Sequence, residues 1–188
     1  PGDRSPFFFV EIGYLQSSPP EPMKGRKCLP DRATQGFRWL WVAGLLLLLF
    51  GAYAGTRRSP FLLDDYPTVI ENTSIKSGPI SREAFAPPAW SFTAGRPVLN
   101  WSFAFDHSWT GIDPAGYRLG NLLIHGVNGG LVFWLILEFL GRLGLKPEFG
   151  GRIAAGTAAL WLLHPVNTVC VTYISQRAES LMALFYLT

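Results

Sequence analysis

Asp64 and Asp65 stand side by side in "FLLDDYPTVIENTSI", residues 61–75, shortly after a run of five leucines suited to a lipid bilayer. Two neighbouring carboxylates in a partly buried place cannot both ionise freely, so one is pushed toward its neutral form, which suits proton transfer or cation binding. Beside a membrane surface, such a carboxylate can take the proton from a hydroxyl while that oxygen attacks an activated carbon. Taken alone, Asp-Asp-Tyr-Pro is also good turn chemistry, because aspartate at the start of a loop caps backbone N–H groups. On local grounds the turn is the better reading.

A second set of polar residues lies further along. Arg118, Asn121, His125 and Asn128 keep within an arc of about 80° on a helix, forming one stripe. In hydrocarbon such groups are costly unless they face protein or water, so the stripe is expected to line a cavity inside a bundle. Hydrogen bonding across helices would explain Asn121, His125 and Asn128 as well as a site does. His164, before Pro165, joins the cavity-lining set, although a histidine there can also satisfy carbonyls exposed where proline ends a helix. No His-Glu-x-x-His or comparable spacing occurs, so no metal site is expected. Cys28 and Cys170 form no zinc, redox or disulfide pattern.

Membrane helices must position these residues. Of 188 residues, 48% are hydrophobic and 15% charged, a balance that points to a membrane. The net charge of +3 comes from scattered basic residues, giving nucleic-acid binding no support. Residues 1–36, rich in proline and serine, read as a flexible tail. A first span is expected over 37–55, with Trp39, Trp41 and Tyr53 at interface positions. An outer loop follows over 56–116, with a short helix capped by Ser81, and a second span over 117–140, where Gly126 and Gly130 permit close helix approach. A basic turn at 141–151, a third span at 152–165, a loop at 166–178 and the start of a fourth span at 179–188 complete the chain, which reads as a fragment. The third span is short, so it must borrow flanking residues, continue past the proline with a kink, or cross a thinned region. Lysine and arginine near the span ends place the tail in the cytoplasm.

Three blocks, "LLDDYPTVIENTSI", "GRPVLNWSFAFDHSWTGIDPAGYRLGNLLIHGVNG" and "LLHPVNTVCVTYISQRAESLMALFYL", occur in order between the expected spans. Together they resemble the N-terminal membrane part of the tetratricopeptide-bearing transmembrane O-mannosyltransferase-like proteins, of the GT-C class of integral-membrane glycosyltransferases. The resemblance covers about residues 37–188. It implies an all-α integral membrane protein, a multi-span helical bundle of GT-C type with short helices in its long first outer loop. It also implies transfer of a mannose-like sugar from a polyprenyl-phosphate donor to an acceptor hydroxyl on protein, at the outer or lumenal face of a bacterial inner membrane or the endoplasmic reticulum.

By position, the resemblance makes Asp64 the general base and Asp65 its partner in binding acceptor or metal. No cofactor is implied, with a divalent metal beside the pair left open. Arg96 would orient the acidic loop or meet donor phosphate. Gln176 and Arg177 would bind that phosphate, the guanidinium offering planar, permanently charged recognition. Two departures stand out. Val169 and Cys170 occupy positions where many relatives carry an acid after the His-Pro element, and Arg118 stands where relatives commonly have histidine. Two other functions compete: a non-catalytic membrane scaffold with a partner-binding repeat region, and a transporter, since intramembrane polar stripes also mark substrate paths.

Overall fold

A computed structural model describes residues 32–188, and every regular element among the described residues is helical. Most of the expected N-terminal tail lies outside the described residues. Helix α1 spans Arg32–Tyr53, starting ahead of the expected boundary, and α3 spans Pro114–Arg142. Both are long and apolar enough to cross a membrane, with candidate spans at Trp39–Arg57 and Pro114–Arg142. At 29 residues α3 is about 44 Å long, more than the roughly 30 Å of a hydrocarbon core. It begins three residues before the expected Tyr117, because Asp113 caps it by accepting from Ala115 N at 2.9 Å and Pro114 fits its first position.

Helix α4 spans Pro147–Leu162, so it takes residues from the flank before Arg152. Beyond it the chain bends by 50° into the segment Pro165–Thr172, which holds the short helix α5, Thr168–Thr172. Borrowing and kinking, two of the three solutions the short apolar run demanded, therefore occur together. Counting this bent pair as one span gives three candidate spans. Helix α6 spans Arg177–Leu187.

Helix α3 is the hub. One apolar core joins Leu45, Leu49 and Tyr53 of α1 to Leu122 and Phe133 of α3 and to Ala154, Ala155, Ala158 and Leu162 of α4. Small residues set how closely the helices approach. A β-carbon on Gly126 would sit 3.0 Å from Leu49 Cδ2, and one on Gly129 would collide with Leu162. Gly130, expected at this contact, meets nothing within 4 Å. The close-approach pair is thus Gly126 with Gly129.

The loop between α1 and α3 is far more structured than its polar composition suggested. Helix α2, Pro97–Thr110, buries Leu99, Asn100, Phe103 and Ala104 against Val69, Ile75, Ala84, Tyr117 and Ile174. Pro97 opens the helix and Gly111, at φ 62°, follows its end. The expected short helix forms at Glu83–Phe85 behind Arg82, and Ser81 Oγ just before it accepts from Ala84 N at 3.2 Å. A buried amide clamp fastens the loop to α2. Asn72 Nδ2 donates to Asn100 Oδ1 at 2.8 Å, and Asn100 Nδ2 donates to Ser74 Oγ at 2.9 Å and to the Ala84 carbonyl at 2.8 Å. Both asparagines begin N-glycosylation patterns, yet both side chains are buried and engaged.

Candidate active site

Helix α4 ends in carbonyls that its own backbone cannot satisfy. His125 Nε2 donates to the Leu162 carbonyl at 3.0 Å and Tyr53 Oη to the same oxygen at 3.3 Å, while Asn167 Nδ2 caps Trp161 at 2.7 Å. The His125 ring stacks on Trp161 at 4.8 Å. Asn128 Nδ2 donates to the Ser180 carbonyl at 2.8 Å. Asn121 Nδ2 meets the carbonyls of Tyr173 and Ile174 at 3.2 and 3.4 Å. Arg118 donates to the carbonyls of Thr172 at 3.0 Å, Pro60 at 2.6 Å and Ser59.

Beside the stripe expected to line a cavity, the structure places backbone carbonyls. All four side chains are buried, and they hold backbone carbonyls of other segments instead of lining open space. The physical reason is that carbonyls freed at helix ends and bends need donors in an apolar bundle. His164 is exposed, and its Nδ1 accepts from Val166 N at 3.3 Å, which makes it a cap on the Pro165–Asn167 turn.

The acidic pair divides into two different groups. Asp65 is fully buried, with Oδ2 accepting from Leu62 N at 3.0 Å and Oδ1 from Ser175 N at 2.9 Å. Its carboxylate pins the start of the loop between α1 and α3 to the "YISQR" block. Burial pushes the Asp65 carboxyl above its ordinary range, against the opposing pull of those two N–H donors and the Arg118 charge. Asp64 is half-buried, and among the described residues its carboxylate has no hydrogen-bond or ion-pair partner. Its backbone N donates to Tyr173 Oη at 3.2 Å, and its carbonyl accepts from Thr68 Oγ1 at 2.6 Å. Preceding it, Leu63 holds φ at 26° with its side chain 82% exposed, a backbone state that non-glycine residues rarely adopt. A wide π turn, Tyr66–Ile70, follows, closed by Glu71 N on the Tyr66 carbonyl at 2.9 Å. The loop is clamped on both sides of Asp64.

Arg177 is 1% exposed and directs its donors into the protein. Nε donates to Asn121 Oδ1 at 2.6 Å, and Nη1 to Ser102 O and Oγ at 3.2 and 3.3 Å. Nη2 donates to Asp106 Oδ2 at 2.5 Å and to the Tyr117 carbonyl at 2.7 Å, with the guanidinium 4.4 Å from the Phe103 ring centre. The charge expected at a donor phosphate therefore joins α2, α3 and α6. Arg96 is exposed, makes no side-chain hydrogen bond or ion pair with either aspartate, and borders a groove of about 480 Å³ with Leu99, Ala178, Leu181 and Met182. Gln176 is half-buried and its side-chain amide has no hydrogen bond among the described residues.

The acidic pair does not form a chelate. Each Asp65 oxygen already accepts a backbone N–H, and among the described residues no three histidine, cysteine, aspartate or glutamate side chains gather as a metal site.

Two expectations follow from this geometry. Gly120 lies where a β-carbon would come within 2.6 Å of both Arg177 Nη2 and Asp106 Oδ2. Gly120→Ala should force the ion pair apart and cost about 1–3 kcal/mol, measured by thermal unfolding of the full-length protein in detergent. The second concerns pH. Burial also raises the Asp106 carboxyl, with Arg177 opposing, so both acids bind a proton more readily folded than unfolded. Their stabilising contribution is full below the ordinary value of 3.8 and declines as pH rises through the folded value. The unfolding midpoint should fall with rising pH across the carboxyl range, and Asp65→Asn should remove part of that slope.

Tyr173 and Asp106 escaped the sequence reading. Tyr173 lies inside a block noted for its Gln-Arg, and Asp106 sits 71 positions from its partner, with no local spacing to link them.

A membrane protein with a clamped acidic loop between its two candidate spans is the class that this fold and site define. Known relatives agree. Protein O-mannosyl-transferase Tmtc1 of Drosophila melanogaster is 29% identical over 154 residues, covering 78% of this chain and 17% of that protein. Protein O-mannosyl-transferase TMTC4 of Mus musculus is 27% identical over 161 residues, covering 78% and 21%. Protein O-mannosyl-transferase TMTC1 of Mus musculus is 30% identical over 159 residues, covering 77% and 16%. The chain is thus similar to these protein O-mannosyl-transferases along most of its own length, and it spans about a fifth of theirs. No family model matches it, and no solved structure matches it.

Proposed function

We propose that the full protein is a membrane glycosyltransferase that moves a mannose-like sugar from a polyprenyl-phosphate donor to an acceptor hydroxyl on protein, at the outer or lumenal face. The observation that carries this reading is the division within the acidic pair. Asp65 spends its carboxylate on two backbone N–H groups, and Asp64, beside a strained residue on a clamped loop, keeps its own unengaged. Relatives named as protein O-mannosyl-transferases supply the class of reaction.

In this reading Asp64 takes the acceptor proton as the hydroxyl oxygen attacks the anomeric carbon. The new glycosidic bond forms as the bond from that carbon to the phosphate oxygen breaks, and the lipid phosphate leaves with the bonding pair. Asp65, Arg118 and Arg177 position the loop. Gln176 and Arg96, whose side chains are not tied into the fold by hydrogen bonds, remain for the phosphate. The chain would form part of a multi-pass GT-C bundle with its N-terminus in the cytoplasm.

The test is transfer of radiolabelled mannose from polyprenyl-phosphate-mannose to endogenous protein by full-length protein reconstituted in vesicles. Labelled protein above a protein-free control supports the reading. Absence of transfer from every polyprenyl-phosphate sugar offered would leave a non-catalytic scaffold or a transporter.

A further inference from the structure

Tyr173 meets the acidic loop with a hydroxyl that is only half used. Its Oη accepts from Asp64 N at 3.2 Å, and among the described residues nothing accepts the proton of that hydroxyl. The segment that carries the half-buried ring is held from three sides. Arg118 Nε donates to the Thr172 carbonyl at 3.0 Å, Asn121 Nδ2 to the Tyr173 carbonyl at 3.2 Å, and Ser175 N to Asp65 Oδ1 at 2.9 Å. The phenol is therefore fixed beside Asp64 by its own backbone as well as by its oxygen.

Gln176 stands next to it. Its backbone N closes a turn on the Tyr173 carbonyl at 3.2 Å. Positions three apart in a 3-10 turn eclipse, so the two side chains leave the same side. The Gln176 amide also carries donor protons that no group among the described residues accepts. Arg177, the cation of the same block, is buried and committed to Asp106, so these uncharged donors are the ones left to face a ligand.

The chemistry of the two donors selects what they face. An acceptor hydroxyl gives its proton to Asp64, whereas a phosphate offers oxygens alone and needs donors. As the bond from the anomeric carbon to the phosphate breaks, negative charge gathers on the departing oxygen. A fixed hydroxyl binds that oxygen more strongly than it binds the intact ester, and such a difference lowers the barrier.

We propose that Tyr173 is a catalytic residue, its hydroxyl donating a hydrogen bond to the phosphate oxygen on which charge grows, with the Gln176 amide beside it. This rests on the transferase reading. The phenol keeps its proton throughout: the proton of the acceptor passes to Asp64, and the bonding pair leaves with the phosphate. One oxygen thus ties the base to the leaving group, accepting from Asp64 N and donating to phosphate.

The test uses the full-length protein in vesicles, with mannose transfer from polyprenyl-phosphate-mannose as the readout. Tyr173→Phe, which removes both bonds, should lower turnover by about 10²-fold. The deciding variant carries 3,5-difluorotyrosine at position 173, because fluorine makes a phenol acidic enough to ionise near neutral pH, where tyrosine does not. A phenolate still accepts from Asp64 N but has no proton to give. Transfer by this variant should match the unmodified protein at acid pH and fall about tenfold for each pH unit above the ionisation, while the unmodified protein holds its rate. The ionisable groups on neighbouring segments, among them Asp64, Asp65, Arg118, Cys170, Arg177 and Glu179, are the same in both proteins, so the difference between the profiles isolates the phenol. Identical profiles, or full turnover by Tyr173→Phe, would overturn the proposal and leave the transferase reading standing. No transfer by the unmodified protein would end both.

Discussion

Arg177→Ala is expected to destabilise the full-length protein by about 3–5 kcal/mol, the cost of breaking a buried ion pair from one side. The substitution leaves Asp106 with no counter-charge, strands Asn121 Oδ1, and removes the cation over Phe103. It also frees the Tyr117 and Ser102 carbonyls. Thermal unfolding in detergent measures the loss. Arg177→Lys should rescue little, because one ammonium cannot reach Asn121, Ser102, Asp106 and Tyr117 together. Replacing both partners, Arg177→Met with Asp106→Leu, should restore much of the stability, since an apolar pair no longer carries the desolvation cost. A normal unfolding midpoint for Arg177→Ala, with only donor affinity weakened, would instead return Arg177 to the phosphate.

Asp64→Asn is expected to leave the unfolding midpoint unchanged and to lower the turnover of the transferase by about 10²–10⁴-fold, the usual worth of a positioned general base. The swap keeps shape and removes proton affinity. The loop contacts at Asp64 use its backbone, through Tyr173 Oη and Thr68 Oγ1, so the substitution does not touch them. Asp65→Asn should behave in the opposite way. An amide can accept from Leu62 N or Ser175 N through its one oxygen but must turn its NH₂ toward the other. That mismatch should cost about 1–3 kcal/mol of stability. Lost activity in that variant should follow the lost fold.

Much of the frame was legible in the chain before its structure. Long apolar runs marked α1 and α3, Ser81 marked its short helix, and the short apolar run before His164-Pro165 demanded borrowed residues, a kink or a thinned region. Ordered blocks pointed to the O-mannosyltransferase-like relatives. What stayed hidden was decided by contacts between distant residues. The stripe on α3 was visible as periodicity, but whether it lined water or held carbonyls depended on where α4 and the 172–175 segment end. Adjacent aspartates look alike in a sequence; Ser175 N, 110 positions away, separates them by binding Asp65. The ion pair of Arg177 stayed hidden because nothing near it in the chain announces Asp106. Helix α2 was missed because aromatic residues on both its faces mask the helical period that an amphipathic pattern would show.

The most direct measurement is sugar transfer per folded molecule for Asp64→Asn and Asp65→Asn, with the folded fraction of each fixed by its unfolding curve. Transfer should collapse in Asp64→Asn at full folded fraction, and should persist in the folded molecules of Asp65→Asn. Full transfer by Asp64→Asn, or its loss in properly folded Asp65→Asn alone, would contradict the assignment of the chemistry to Asp64 and of the scaffold to Asp65.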